Sequence, residues 1–183
     1  MTAPAVERSG VIDRVSVIEL TMFPDDRGVF TELYRESWGV GVSPVQWNVV
    51  RSNRGVLRGV HVHPTHDDYL TVVSGRATVG LRDLRRASPT EGIATTVDLA
   101  GEALSSIVIP HGVAHGFLFH EPSIHVYAVS HYWDTDDELA CVWSDPDLGI
   151  DWPFEPTYIS ERDAEAQTFS QLLAVLEPLQ PIG

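Results

Sequence analysis

The sequence predicts an all-β jelly roll with a short C-terminal helix. Two observations carry this: many short alternating segments separated by turn signals, and one helical stripe near the end of the chain. Val11–Leu20 alternates apolar and polar residues, the period of a half-buried strand. Pro24-Asp-Asp-Arg27-Gly28 then reads as a turn leading into a strand over Val29–Tyr34. Further strands are expected at Val45–Arg51, Val56–His63, Tyr69–Ser74, Ala77–Asp83, Ala94–Asp98, Ser105–Ile109, Ala114–Phe119 and His125–Trp133. Strands of this length and spacing close into a sandwich or barrel. Phe169, Leu172, Leu173 and Leu176 fall at i, i+3, i+4 and i+7, one apolar helical stripe, and Pro178 ends it. Ser160-x-x-Asp163 resembles a capping box upstream of that helix. A chain of 183 residues fits one domain, with a core over about 11–158 and a helical tail over about 160–177.

Composition bounds the function. The formal net charge is −14, which repels phosphate backbones, and no basic stripe offsets it, so nucleic acid is not an expected partner. No apolar run approaches the ~20 residues of a membrane span. Residues 1–10 have no apolar core of the kind a secretory signal needs, and a cytoplasmic location is expected. The single cysteine, Cys141, has no partner for an internal disulfide and reads as a core residue. All twelve basic residues are arginine, so no lysine is available as a Schiff base or an ammonium clamp.

Two stretches carry chemistry. Gly55-Val-Leu-Arg58-Gly-Val-His61-Val-His63 is followed by Asp68 and then Gly75, and Pro110-His-Gly112-Val-Ala-His115 comes later. Residues two apart on a strand share a face, so His61 and His63 point together into a barrel. These stretches resemble the paired motifs of the cupin superfamily. On that resemblance His61, His63, Asp68 and His115 form a three-histidine, one-carboxylate set. Such a set suits Fe, Ni, Mn or Zn. The alternative is that these side chains line a metal-free pocket.

A closer resemblance spans about residues 11–170. Phe23-Pro-Asp-Asp-Arg27-Gly28-Val-Phe30-Thr-Glu32, Val45-Gln46-Trp-Asn48, Arg51-Ser52, Tyr132-Trp, Trp143-Ser-Asp-Pro-Asp-Leu-Gly-Ile-Asp-Trp-Pro153 and Ile159-Ser-Glu-Arg-Asp163 follow one another in order. They are similar to the signatures of the dTDP-4-dehydrorhamnose 3,5-epimerase family. The resemblance implies epimerisation of a dTDP-4-keto-6-deoxyhexose at C3, C5 or both. A base removes the proton beside the ketone and an acid returns one on the opposite face. It assigns His61 as base, Asp163 as its partner and Tyr132 as acid. Arg27, Glu32, Gln46, Asn48, Arg58 and His115 would contact the nucleotide-sugar. No cofactor is implied, and a homodimer is expected. The plainer reading makes Asp163 a helix cap, Tyr132 a strand aromatic and Arg27 a solvated turn residue, with Trp143 and Trp152 as packing anchors.

The chain departs from that family at two places. His63 stands where the family has Gln, and Asp68 where it has a Lys that steadies the enolate. An anion in place of a cation reverses the local field, and one preorganised donor at an oxyanion is worth about 3–4 kcal/mol. Arg58 or a divalent metal would have to supply the missing charge. The second reading is therefore a metal-dependent cupin isomerase, lyase or oxygenase acting on a small metabolite. The third is a non-catalytic sugar binder.

Overall fold

The computed structural model describes residues 5–8, 11–134 and 138–179. Its strands are β1 (Ala5–Arg8), β2 (Ser16–Glu19), β3 (Met22–Asp25), β4 (Gly28–Thr31), β5 (Gln46–Ser52), β6 (Leu57–Val62) and β7 (Asp68–Ser74). They continue with β8 (Arg76–Asp83), β9 (Ala94–Ala100), β10 (Ser105–Ile109), β11 (Val113–Phe119), β12 (Ser123–Val129) and β13 (Leu139–Ala140). One sheet runs β1-β2-β10-β7-β12-β5 and the facing sheet runs β13-β6-β11-β8-β9. The strand pairs within both sheets are antiparallel, and β3 and β4 form a separate hairpin. Neighbours far apart in sequence, such as β2 beside β10, are the crossovers of a jelly roll.

Alternation sorts the side chains into three apolar layers. Leu70, Val72, Ile107 and Ile109 of one sheet meet Val79, Leu81, Leu99 and Phe119 of the other between the sheets. On the outside of the second sheet, Val60, Val62 and Ala114 pack under the C-terminal segment, including Phe169, Leu172 and Leu176. On the outside of the first, Ile18, Tyr69, Val108 and Ala128 lie under Leu33, Tyr34, Trp38 and Val40. On β6, Val60 and Val62 thus face the tail, and His61 is left for the barrel interior.

The C-terminal helices differ from the expected arrangement. Ser160 caps a one-turn helix, α1 (Glu161–Ala164), accepting from the Asp163 amide at 3.1 Å. The longer helix α2 (Phe169–Leu176) has its own capping box from Thr168 and Gln171. Phe169, Leu172 and Leu176 are buried, but Leu173 is 41% exposed and lies off the buried stripe. The N-terminal strand is also shorter than expected: of Val11–Leu20 only β2 is extended, because Asp13 and Arg14 turn and Arg14 takes φ 62°. β12 stops at Val129, so Ser130–Asp134 leave the sheet. Cys141 is fully buried, and burial pushes its thiol up to about 12, as expected of a core residue.

Candidate active site

A cavity of about 500 Å3 opens into the barrel between the two sheets. That is within the usual range for small-ligand sites. Its polar and aromatic lining includes Arg58, His61, His63, His66, Asp68, His115, His125, Tyr127, Trp133, Glu138, Tyr158, Arg162 and Asp163.

His61 is clamped between two carboxylates. Its Nε2 lies 2.7 Å from Asp163 Oδ1, and its Nδ1 lies 3.0 Å from Glu138 Oε1. Gly59 makes the first contact possible, because its amide also donates to Asp163 Oδ2 at 3.4 Å. Gly59 has φ 112°, and a Cβ there would meet the Gly116 Cα and the His115 carbonyl at 2.8 Å, so only glycine fits. Asp163 is not the helix cap of the plainer reading: Ser160 caps α1, accepting from the Asp163 amide, while the Asp163 carboxylate faces His61. Glu138 sits immediately before β13, whose Ala140 pairs with His61. The same carboxylate accepts from Arg162 Nη1 at 2.8 Å and from Trp133 Nε1 at 3.2 Å.

These partners set the protonation of His61. Burial disfavours the imidazolium, but hydrogen bonds and charge from Asp163 and Glu138 outweigh it and raise His61 to about 9. Burial would raise Glu138 too, yet His61 and Arg162 hold it down to about 2. Asp163 is lowered in the same way, with burial again opposed by His61.

A second cluster lies beside the first. His63, His66, Asp68 and His115 are all buried, at 6%, 1%, 6% and 5% exposure. The rings of His63 and His66 stack with centroids 3.9 Å apart. Asp68 Oδ2 lies 3.6 Å from His63 Nε2 and 3.7 Å from His115 Nε2, and Asp68 Oδ1 lies 3.9 Å from His66 Nε2. The set expected from sequence was His61, His63, Asp68 and His115. Here His61 is turned to Asp163 and Glu138, and His66 joins His63 and Asp68 as the group able to share an ion.

The other expected residues fall in three places. Arg58 lines the cavity, donating from Nε to Ser52 Oγ at 2.9 Å. Gln46 and Asn48 are joined side chain to side chain at 3.0 Å, on the same face of β5 as the cavity-lining Val50. Arg27 and Glu32 are not brought to the cavity: Arg27 pairs with Asp25 at the exposed tip of the β3–β4 hairpin, and Glu32 pairs with Arg35. Nor is Tyr132, which is 77% exposed just after β12; the phenols that line the cavity are Tyr127 and, 61% exposed at its rim, Tyr158. Sequence reasoning missed His66, Glu138, Tyr127 and His125. His125 is buried and stacked on Phe119, and burial lowers it to about 4. His66 had a readable signal, since it stands two residues before Asp68 on the same strand-like period.

Fold and cavity together define a jelly-roll protein of the cupin type, with a histidine–carboxylate pair beside a small-molecule pocket. Comparison narrows the class. The profile of the dTDP-4-dehydrorhamnose 3,5-epimerase family matches residues 10–171, and the chain belongs to that family. The dTDP-4-dehydrorhamnose 3,5-epimerase of Pseudomonas aeruginosa is 39% identical over 171 residues, covering 87% of this chain and 93% of the relative. Among solved structures, the dTDP-6-deoxy-D-glucose-3,5-epimerase of Legionella pneumophila in complex with dTDP-4-keto-L-rhamnose superposes with a TM-score of 0.86 at 32% identity, over 97% of each chain. ChmJ, a 3'-monoepimerase from Streptomyces bikiniensis in complex with dTDP-quinovose, gives 0.80 at 32% identity, over 92% of this chain and 88% of that one.

Proposed function

We propose that this protein epimerises a dTDP-4-keto-6-deoxyhexose at C3, C5 or both. The observation that carries the reading is the 2.7 Å contact between His61 and Asp163 at the wall of the cavity, in a chain whose fold matches an epimerase solved in complex with dTDP-4-keto-L-rhamnose. The 4-ketone acidifies the neighbouring C–H bonds. His61, deprotonated at Nδ1 and released there from Glu138, is the base, while Asp163 on Nε2 orients the ring and stabilises the imidazolium that forms. Tyr132 is the proposed acid, on the family resemblance, and Tyr127 is the competing phenol, on its place in the cavity. Arg58 and His115 are proposed to hold the sugar. Proton removal and return balance each other, so the reaction needs no redox cofactor.

Arg27, Glu32, Gln46 and Asn48 are the proposed nucleotide contacts. Arg27 and Glu32 lie away from this chain's cavity, so a neighbouring copy would have to present them. The reading therefore requires a homodimer.

The test is incubation with the dTDP-4-keto-6-deoxy sugar in deuterated water, read by mass spectrometry and proton NMR. Deuterium is expected at the epimerised carbon, and its position identifies C3 or C5. His61→Asn should slow the exchange by about 10²–10⁴-fold. Substrate recovered unlabelled after prolonged incubation would overturn the reading.

A further inference from the structure

We propose that His63, His66 and Asp68 form a binding site for one divalent first-row transition-metal ion, with His115 as a fourth donor. One nitrogen or oxygen from each of the first three lies within 4.8 Å of the others, in the interior of the barrel. The imidazole-to-carboxylate separations of 3.6, 3.7 and 3.9 Å are too long for hydrogen bonds. They are close to the ~3.3 Å that neighbouring ligand atoms span around an ion with bonds of ~2.1 Å. For these imidazole–carboxylate pairs the difference is a few tenths of an ångström, and the group as a whole contracts from within 4.8 Å.

The tautomer of His115 adds an independent argument. Its Nδ1 lies 3.1 Å from the Val113 carbonyl, which only accepts, so Nδ1 carries the proton. Nε2 then carries the lone pair, 3.7 Å from Asp68 Oδ2. Two electron-rich atoms facing each other in a buried site are stabilised by a cation between them. A ligating histidine whose other nitrogen donates to a backbone carbonyl is also the usual arrangement in metal sites. The donors are imidazole and carboxylate, which suits Zn, Fe, Ni, Mn or Co, whereas Ca and Mg favour all-oxygen sets. Cys141 belongs to the other side of the sheet and does not contribute.

His61 stays outside this site because both of its ring nitrogens face carboxylates. Base and metal therefore occupy the cavity together, with no competition for one imidazole. The use of the ion rests on the epimerase reading. When His61 takes the proton, the C–H pair becomes the enolate C=C bond and the carbonyl π pair moves onto oxygen. A cation bound at Asp68 neutralises that oxygen, where the family relies on a lysine. Return of a proton to carbon reverses both shifts, and nothing is oxidised or reduced.

The test begins with untagged full-length protein freed of metal by a chelator and titrated with Co(II). Saturation at one ion per chain is expected, with ligand-field absorption in the visible. His66→Asn and Asp68→Asn should each weaken binding by more than the ~10–100-fold that outer-shell changes produce, and His61→Asn should leave it unchanged. His66→Cys, made in a Cys141→Ala background so that no other thiol can bind Co(II), should add a thiolate charge-transfer band in the near ultraviolet. Absence of saturable Co(II) binding by the unmutated protein would overturn the site. So would loss of binding in His61→Asn equal to that in His66→Asn. Deuterium exchange is then compared between metal-free and Co(II)-loaded protein. Exchange that depends on the ion supports the electrophile role, and full exchange without it refutes that role. A protein that binds one ion yet exchanges nothing confirms the site and removes the epimerase reading alone.

Discussion

At the scale of single residues, the site depends on carboxylates placed on both sides of one imidazole. Asp163→Asn removes the acceptor that fixes the ring while leaving the Ser160 cap in place. It is expected to lower isotope exchange by about 10²-fold with an unchanged circular dichroism spectrum. The acid is decided by a pair of variants. With Tyr132 as acid, Tyr132→Phe lowers turnover by about 10²-fold and Tyr127→Phe by less than tenfold, and the reverse outcome transfers the role to Tyr127. His61, Asp163, His115 and Arg58 were legible in the sequence because their motifs sit on regular strands and a capped turn. Glu138 was not legible. It reaches His61 from an irregular segment, and no periodicity tells an acid in a loop where its side chain will go. Tyr132 was assigned on the family resemblance alone; a strand continued through Trp133 would have put it on the outer face with Ala128, since His125, Tyr127 and Val129 are the residues of β12 that line the cavity. The end of β12 at Val129 frees it from that alternation.

At the scale of elements, alternation located most of the strands, and errors fell where side chains compete with the backbone. Val11–Leu20 was read as one alternating segment, but the pairs Val11-Ile12 and Asp13-Arg14 break the period, and this first half serves as an anchor for the β8 end rather than a strand. There Arg85 donates to the Asp13 carbonyl at 2.6 Å while gripping the buried Asp83 at 2.8 Å. Burial works against the Asp83 carboxylate, but Arg85, Thr90 and Ser88 hold it down to about 2. A carboxylate lowered on folding stabilises the fold above its unfolded value and loses that contribution as pH falls toward the folded one. About 2–3 kcal/mol of stability should therefore disappear between about pH 4 and pH 2. Urea denaturation across that range checks it, and Asp83→Asn should be less stable at pH 7 and lose less of its stability on acidification.

At the scale of the whole molecule, the outward face of β5 is apolar where a solvated sheet edge would be polar. Val45, Trp47 and Val49 are 51%, 45% and 68% exposed, and Phe30 on the β3–β4 hairpin is 63% exposed. Surfaces of this kind mark protein–protein contacts. The homodimer expected from sequence should appear as twice the 20.2 kDa chain mass in light scattering, and Trp47→Glu with Val49→Glu should shift it toward monomer. The all-β class and the helical tail were readable from period alone, whereas the pairing of β2 with β10 was not, since non-local register leaves no local trace. His61 and Asp163 are 102 residues apart in the chain, and they meet only after the barrel has closed and α1 has docked against β6. A chain cut before α1 would therefore keep the His61 strand and lose the carboxylate that fixes its ring.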